Sequence, residues 1–399
     1  MKNKPKIAFV TYRMMMGGIE KALISMLEQI PKEKFDVTLL VVNSGGELFD
    51  KIPSYVKVKN VFDRKRRIAE TVCNFIISGR IIRAFSVILN AFLLKYGEKS
   101  EFKESLRCSN TMPIEDSEFD VAISYCSPLS LPVVYVVKNL VAKKKMLWIH
   151  SDLGDLVTEG SPVLVKKLRK YYKLYDNILC VSHHALKEFN KAFPNLPTKI
   201  TVFYNIMDKS KIVQLSKESG SFNDSFKGIR ILTTGRLSVE KGQEIIPKIL
   251  SRLLEDGYNV RWYCIGNGPI LEQLESKIKD YHLEKNLILL GIKQNPYPYF
   301  KDCDLYVQPS LEEAYCITVA EARALHKPII ATNTGASEQI IHEKTGLVVE
   351  FDEIQIYKSI KRLLDDHSLK ERLIQNLGLE TIDTTTEMEK FYKLVEKTR

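Results

Sequence analysis

The sequence predicts an α/β protein with two doubly wound, mostly parallel sheets in series. Three observations predict it. Short β-branched apolar runs alternate with helical segments through most of the chain. The alternation pauses once, over a polar Ser/Gly/Asn/Asp segment at 209–228, and then restarts. The 399 residues also exceed one ordinary core, since domains run to roughly 100–200 residues.

In order, "KPKIAFVTY" reads as a strand and "GGIEKALISMLEQI" as a helix, because its apolar residues recur at helical spacing. "FDVTLLVV", "DVAISYC", "KKMLWIH", "NILCVS" and "KITVFYN" follow as strands. After the polar pause come "IRILTTGRL", "VRWYCIG", "LILLG", "DLYVQPS" and "PIIATN" as strands. "QEIIPKILSRLLEDG", "ILEQLESKIKDY" and "TVAEARAL" are the helices between them. The expected plan is an N-terminal domain over 1–208, a linker over 209–228 and a C-terminal domain over 229–380.

Composition sets the class. Hydrophobic residues make up 45% and charged residues 27%, as in a soluble globular protein. The basic start is followed by too short an apolar run for a secretory signal. Seven cysteines, odd in number and without C-x-x-C, point to a reducing compartment, with neither a disulfide framework nor structural zinc. A cytoplasmic location is expected. The histidines form no H-E-x-x-H, and the adjacent His183 and His184 point in different directions on any regular element.

The charge is uneven. Residues 1–200 hold 32 Lys and Arg against 20 Asp and Glu, a net +12; residues 201–399 hold 27 against 29, a net −2. Such a bias suggests an anionic partner surface, or plain solubility. Residues 64–96 interleave Arg with Ile, Phe and Leu, and their longest charge-free run, 84–94, is far short of the roughly 20 residues that span a bilayer. That pattern suits a helix lying on an anionic membrane, and equally a helix packed on the sheet with its charges solvated. "LVKKLRKYYKLY" at 164–175 is a second candidate. Nucleic acid is not an expected partner.

The chemistry sits in four places. "VQPSLEEAYCITVAEARAL" at 307–325 places Glu313 in the loop after a strand and Glu321 in the helix that follows. Ligands of open α/β sheets bind outside the carboxyl ends of strands. The pair can be a ligand clamp or a hydrolase dyad, or Glu321 can simply complement its helix N-terminus. "TTGRLSVEKGQE" ends a strand at Gly235 and sets Arg236 and Lys241 in a loop before a helix, an arrangement that suits a diphosphate. "CIGNGPILEQL" offers Gly266 and Gly268, but Leu271 stands where the third glycine of a dinucleotide fingerprint belongs. Gly17-Gly18 forms no such fingerprint either, and Asn43 replaces the acid an NAD site needs, which argues against a dehydrogenase. "DCD" at 302–304 is read as structural, Asp302 ending a helix, so no metal is expected.

In this order the motifs G-R-L-x-x-x-K-G, G-x-G, P-S-x-x-E-x7-E-A, "TGASEQII" and "TGLVV" resemble glycosyltransferase family 4 of the GT-B fold, strongly over about 230–350. In the first half the resemblance rests on Gly17-Gly18, on His150 and Asp152 in "IHSD", on Ser182, and on Asn205 and Asp208. It implies two Rossmann-like domains facing a central cleft, a C-terminal helix over 381–399 packing back toward the N-terminal domain, and transfer from a nucleotide-diphospho-sugar with retention. By position, Arg236 and Lys241 would hold the donor diphosphate, Glu313 would contact sugar hydroxyls and Glu321 the ribose. His150 would approach the donor sugar. Gly17, Gly18, Gly235, Gly266 and Gly268, with Tyr315, Cys316 and Ile317, would line the donor. The acceptor would be a glycan or lipid-linked glycan of the cell envelope, and the protein peripheral at the inner membrane face. The sequence departs from the family at Ala314 and Cys316, where glycines are usual, so the geometry of that turn is in question. A sugar-nucleotide epimerase and a catalytically dead binding subunit are the alternatives.

Overall fold

The computed structural model describes residues 4–61, 68–96, 101–112, 114–153 and 162–396. The chain folds as two compact units, one running to Tyr204 and resuming at Thr386, the other spanning Asn205–Thr385.

The first unit is built on seven parallel strands: β1 (Lys6–Thr11), β2 (Asp36–Val41), β3 (Lys57–Asn60), β4 (Glu115–Cys126), β5 (Leu140–Ile149), β6 (Asn177–Cys180) and β7 (Lys199–Val202), in the order β3-β2-β1-β4-β5-β6-β7. Ile7, Ala8, Phe9 and Val10 are wholly buried, as continuous apolar strands of a parallel sheet are when both faces are covered. Helix α1 (Gly18–Glu28) follows β1 and buries Ala22, Leu23, Met26 and Leu27, the three-and-four spacing that its sequence carries. Helices α2 (Ile68–Ile77), α3 (Ile81–Tyr96) and α4 (Glu101–Thr111) lie between β3 and β4, and α5 (Leu131–Asn139) precedes β5. The basic-apolar segment thus forms two helices, and its cations Arg64, Lys65, Arg66 and Arg67 lie outside the described residues. Among the described residues, no helix is long and apolar enough to cross a membrane.

The final helix, Glu387–Glu396, belongs to this first unit. The Phe391 ring lies 6.2 Å from Phe9 and 6.4 Å from Trp148, and Tyr392 stacks on Phe35 at 5.8 Å. Tyr392 also donates to the Gln29 carbonyl at 2.6 Å, and Lys144 Nζ to that of Leu394 at 2.8 Å.

The second unit carries six parallel strands: β8 (Ile229–Thr234), β9 (Val260–Ile265), β10 (Leu287–Gly291), β11 (Leu305–Gln308), β12 (Ile329–Thr332) and β13 (Leu347–Val349), in the order β10-β9-β8-β11-β12-β13. Its core gathers Ile231, Trp262, Val307 and Ile330 from the strands, with Ile249, Leu253, Ile356 and Ile360 from covering helices. The segment read as a linker opens with a helix, Lys209–Leu215, capped by Asp208 Oδ1 accepting from the Lys211 N–H at 3.0 Å, with Ile212 buried. A seven-residue helix with one buried apolar residue leaves too faint a period to read. The rest of the segment is anchored too: Asp224 accepts from Arg230 at 2.7 Å, Arg261 at 3.2 Å and the Tyr263 hydroxyl.

The Asp302-Cys303-Asp304 triplet has a structural account. Asp302 ends the helix Tyr297–Asp302. Asp304 Oδ2 accepts from the Arg230 N–H at 2.8 Å while its own N–H donates to the Arg230 carbonyl at 2.9 Å, joining the start of β11 to β8. No group of three or more metal-ligating side chains occurs among the described residues.

Candidate active site

Each sheet reverses its strand order once, between β1 and β4 and between β8 and β11. Such switch points leave a crevice at the carboxyl ends of the strands where ligands bind. In the second unit, the loops leaving β8 and β11 carry Arg236, Lys241 and Glu313, far apart in sequence and brought together by that strand order.

The two loops are locked to each other. The Leu311 and Glu312 N–H groups both donate to the Glu240 carbonyl, at 2.9 and 3.2 Å. Gly242 has φ +66°, and a Cβ there would lie 1.8 Å from the Pro309 carbonyl oxygen, so the approach requires glycine. Lys241 Nζ then sits 2.8 Å from Glu313 Oε1, the carboxylate side chain 8% exposed and the lysine 24%. Burial lowers a lysine's pKa, but the neighbouring Glu313 carboxylate, supported by Glu240, outweighs it here and holds Lys241 above its ordinary value.

A buried polar chain fixes Glu313. Tyr306 O–H lies 3.1 Å from Thr234 Oγ1 and donates to Gln308 Oε1, which also accepts from Thr318 Oγ1 at 3.2 Å. Gln308 Nε2 donates to Ser310 Oγ, and Ser310 Oγ to Glu313 Oε1, each at 2.9 Å. No motif marks these residues, yet Tyr306, Gln308 and Ser310 alternate along "LYVQPS", the spacing of one strand face.

Arg236 is pinned by its backbone and exposed at its side chain: its carbonyl accepts from buried Gln243 Nε2 at 2.8 Å. The glycines Gly266 and Gly268 serve this loop rather than only a ligand. A Cβ on Gly266 would lie 1.9 Å from the Gly235 carbonyl oxygen, and one on Gly268 2.2 Å from that of Leu237. The loops after β8 and β9 are zipped backbone to backbone, with Leu237 N–H donating to the Asn267 carbonyl at 3.0 Å.

The turn from Glu313 to Cys316 is held from behind. Gly335 N–H donates to the Glu313 carbonyl at 2.8 Å, and a Cβ at Gly335 would lie 2.3 Å from that oxygen. Gln339 Nε2 donates to the carbonyls of Tyr315 and Cys316. Cys316 adopts φ +65°, the left-handed region, which costs a residue with a Cβ roughly 1–2 kcal/mol. The departure from glycine therefore stands where the backbone calls for one. Burial, then the Glu313 charge, pushes the Cys316 thiol upward, so it is no nucleophile. Ile317 opens the helix Ile317–Ala324, which carries Glu321. Glu321 is 1% exposed, and Tyr297 O–H donates to its Oε1 at 3.0 Å.

In the first unit the loop after β1 ends at Gly17, the N-cap of α1, where a Cβ would lie 2.5 Å from Glu20 Oε2. Gly17 makes room for that carboxylate and Gly18 starts the helix. Burial raises the Glu20 carboxyl to about 7. His150 follows β5 with its ring 4.4 Å from that of Tyr125, and its Nε2 is buried without a hydrogen-bond partner among the described residues. Burial holds its pKa at about 3, so the imidazole is neutral. Asp152 Oδ2 accepts from His184 Nε2 at 2.6 Å. Ser182 Oγ caps the helix His183–Ala192 by accepting from the Ala185 N–H at 2.9 Å. Ser182 and Asp208 are thus helix caps.

Residues 217–377 match the family model of glycosyl transferases group 1. The chain is 29% identical over 238 residues to the N-acetylgalactosamine-N,N'-diacetylbacillosaminyl-diphospho-undecaprenol 4-alpha-N-acetylgalactosaminyltransferase of Campylobacter jejuni, covering 59% of this chain and 62% of that one. It is 21% identical over 379 residues to the UDP-Gal:alpha-D-GlcNAc-diphosphoundecaprenol alpha-1,3-galactosyltransferase of Escherichia coli, covering 92% and 90%. The chain spans 56 to 63% of the length of several curated relatives. Among solved structures, Anabaena HepE in complex with UDP and glucose matches with a TM-score of 0.70 at 16% identity, covering 98% of this chain and 100% of that one. That likeness shows the fold: two Rossmann-like α/β units of the GT-B kind.

Proposed function

We propose that this chain is a glycosyltransferase that moves a sugar from a nucleotide-diphospho-sugar to an acceptor hydroxyl with retention, in the assembly of a cell-envelope polysaccharide or glycolipid. The observation that carries the reading is the pairing of Lys241 with Glu313 beside Arg236 at the β8/β11 switch point. The match of 217–377 to the group 1 glycosyl transferases and the UDP named with HepE support a nucleotide donor on the second unit. The diphospho-undecaprenol in the names of the C. jejuni and E. coli relatives supports a lipid-linked acceptor and a peripheral place at the inner membrane face.

In this reading the donor diphosphate lies against Arg236 and Lys241. When the anomeric C–O bond breaks, its electron pair goes to the diphosphate, and the two cations stabilise the charge that builds there. The acceptor oxygen bonds to the anomeric carbon from the leaving-group face, and its proton passes to the departing phosphate oxygen. Glu313, held by Ser310 and Lys241, accepts hydrogen bonds from sugar hydroxyls, and Glu321 from the ribose. Neutral His150 is a hydrogen-bonding group for the substrate, and the first unit takes the acceptor. The cationic pair fills the role a divalent ion would have, so turnover persists in EDTA; loss restored by Mn²⁺ or Mg²⁺ would overturn that part.

The test is a thermal-shift screen against UDP, GDP and their sugars, followed by transfer assays on the one that binds. A ligand at 100 times its dissociation constant stabilises by about 2.7 kcal/mol. No shift with any nucleoside diphosphate would sink the reading.

A further inference from the structure

Helix α3 is built the opposite way round from a helix of a soluble protein. Its small residue Ala84 and Val87 face inward and pack with Phe75 of α2. Its large residues face out: Ile81 is 58% exposed, Ile82 88%, Phe85 72%, Ile88 54% and Leu89 59%. Positions 81, 82, 85, 88 and 89 form one continuous stripe at helical spacing. Ile76 and Ile77, at the end of α2, are exposed as well. Helix α4 steadies the arrangement, with Arg107 Nη1 donating to the Leu93 carbonyl at 3.1 Å. Exposed contiguous apolar surface on this scale marks an interaction site.

We propose that this outer face of α3, with the end of α2, docks the protein on an anionic lipid bilayer by inserting the Ile81, Ile82, Phe85, Ile88 and Leu89 side chains at headgroup depth. The proposal rests on the lipid-linked acceptor of the functional reading and names the surface that brings the protein to it. Charge selects the occupant. Residues 71–96 contain no Asp or Glu. Arg80 and Lys95, at the two ends of α3, are exposed. The helix Pro162–Tyr172, tied to α4 by the Phe102–Tyr171 ring contact at 5.6 Å, adds exposed Lys166, Lys167 and Lys170 and no acid. A second copy seated on this face would meet cations with cations, whereas phosphate headgroups answer them. At 16 residues, α3 is about 24 Å long, suited to lying in the interface plane.

The mode differs from attraction by charge alone. Salt screens the lysines and arginines but not the apolar stripe. The experiment is co-sedimentation of the full chain with phosphatidylglycerol/phosphatidylcholine vesicles and with phosphatidylcholine alone, at about 0.1 M and about 1 M salt, where the Debye length falls from about 10 to about 3 Å. Wild type pellets with the anionic vesicles and keeps part of that binding at high salt. The variant Ile82→Ser/Phe85→Ser/Leu89→Ser loses partitioning on the order of 100-fold, with an unchanged melting temperature and an unchanged shift with UDP, since all three side chains are exposed. Failure of wild type to pellet on anionic vesicles, or equal pelleting of the triple variant, overturns the proposal. So does a wild-type dimer in sedimentation velocity that the triple variant breaks, which would assign the face to a second copy. Vesicle binding without any shift by a nucleoside diphosphate would sink the catalytic reading and leave the docking surface standing.

Discussion

Replacing Lys241 by methionine keeps most of the stem and removes the cation, leaving the Glu313 carboxylate 8% exposed with Ser310 as its remaining neighbour from the β11 chain. Removing one partner of a fully buried ion pair costs about 3–5 kcal/mol. Lys241 keeps a quarter of its side-chain exposure, so water partly replaces the ammonium, and we expect about 2–3 kcal/mol. For a unit of this size that lowers Tm by roughly 4–12 °C. The double variant Lys241→Met/Glu313→Gln removes the stranded charge and recovers most of the loss, so a double-mutant cycle gives a coupling of about 1.5–2.5 kcal/mol. The pH dependence follows. In wild type the lysine pKa is raised, so its contribution is complete below the ordinary lysine value near 10.4 and is lost only as pH rises through the elevated one. The pair's contribution is therefore flat from about pH 6 to 9. Chemical denaturation of wild type and the three variants at pH 7.5 and pH 9 measures this. Additive single variants, or a coupling that differs between the two pH values, would refute the account of Glu313 as a buried charge held by Lys241.

Three further outcomes are expected. Arg236→Ala leaves the unfolding free energy within about 0.5 kcal/mol of wild type, because only an exposed side chain is lost, while turnover falls on the order of 10²–10³; a near-wild-type rate in a donor-turnover assay would remove Arg236 from the diphosphate site. Gly242→Ala costs at least about 2 kcal/mol in denaturant unfolding, from the left-handed backbone and the Pro309 oxygen; a neutral result would mean that the β8 and β11 loops are not locked as described. In the first unit, His150 near 3 loses stability as pH falls below about 6.5, while Glu20 near 7 gains it as pH falls from 7 toward 4.3, each by at most about 1.4 kcal/mol per pH unit. The two slopes offset each other in wild type, so Glu20→Gln uncovers an acid-side loss and His150→Phe an acid-side gain in unfolding midpoints between pH 7.5 and 5; flat profiles in both would count against the two burials.

Much of this site was legible in the sequence because strands and their terminal loops write themselves in short apolar runs followed by glycine. Arg236, Lys241, Glu313 and Glu321 all fall where those runs place them, and Cys316, standing where the motif has glycine, takes the left-handed φ that glycine would. The Lys241–Glu313 pair was not legible, since it depends on β11 lying beside β8, and no local signal states strand order. Gly266 and Gly268 read as ligand-facing because a sequence cannot show that the nearest backbone is the neighbouring loop. The α2–α3 region had a clear helical period, but a period fixes the faces of a helix without saying which one turns inward. Apolar content would bury the Ile82–Phe85–Leu89 side, and the structure buries the Ala84–Val87 side. The seven-residue helix at Lys209–Leu215 was lost in a polar surround that composition alone could not resolve.

The return of the chain to its first unit sets an order of events during synthesis. The second unit is one unbroken piece, Asn205–Thr385, set inside a first unit made of two. Phe9 and Trp148 are 0% and 1% exposed in the finished fold, yet Phe391 is among the residues that cover them. At about 5–20 residues per second the ribosome needs roughly 10–40 s to travel from Tyr204 to Phe391. Throughout that interval the unit begun first lacks its closing helix, and by the time Val349 is made the unit begun second has every residue of its sheet. The part of the chain that emerges earliest is the last to be sealed, and its bare aromatic face is what a nascent-chain chaperone would meet.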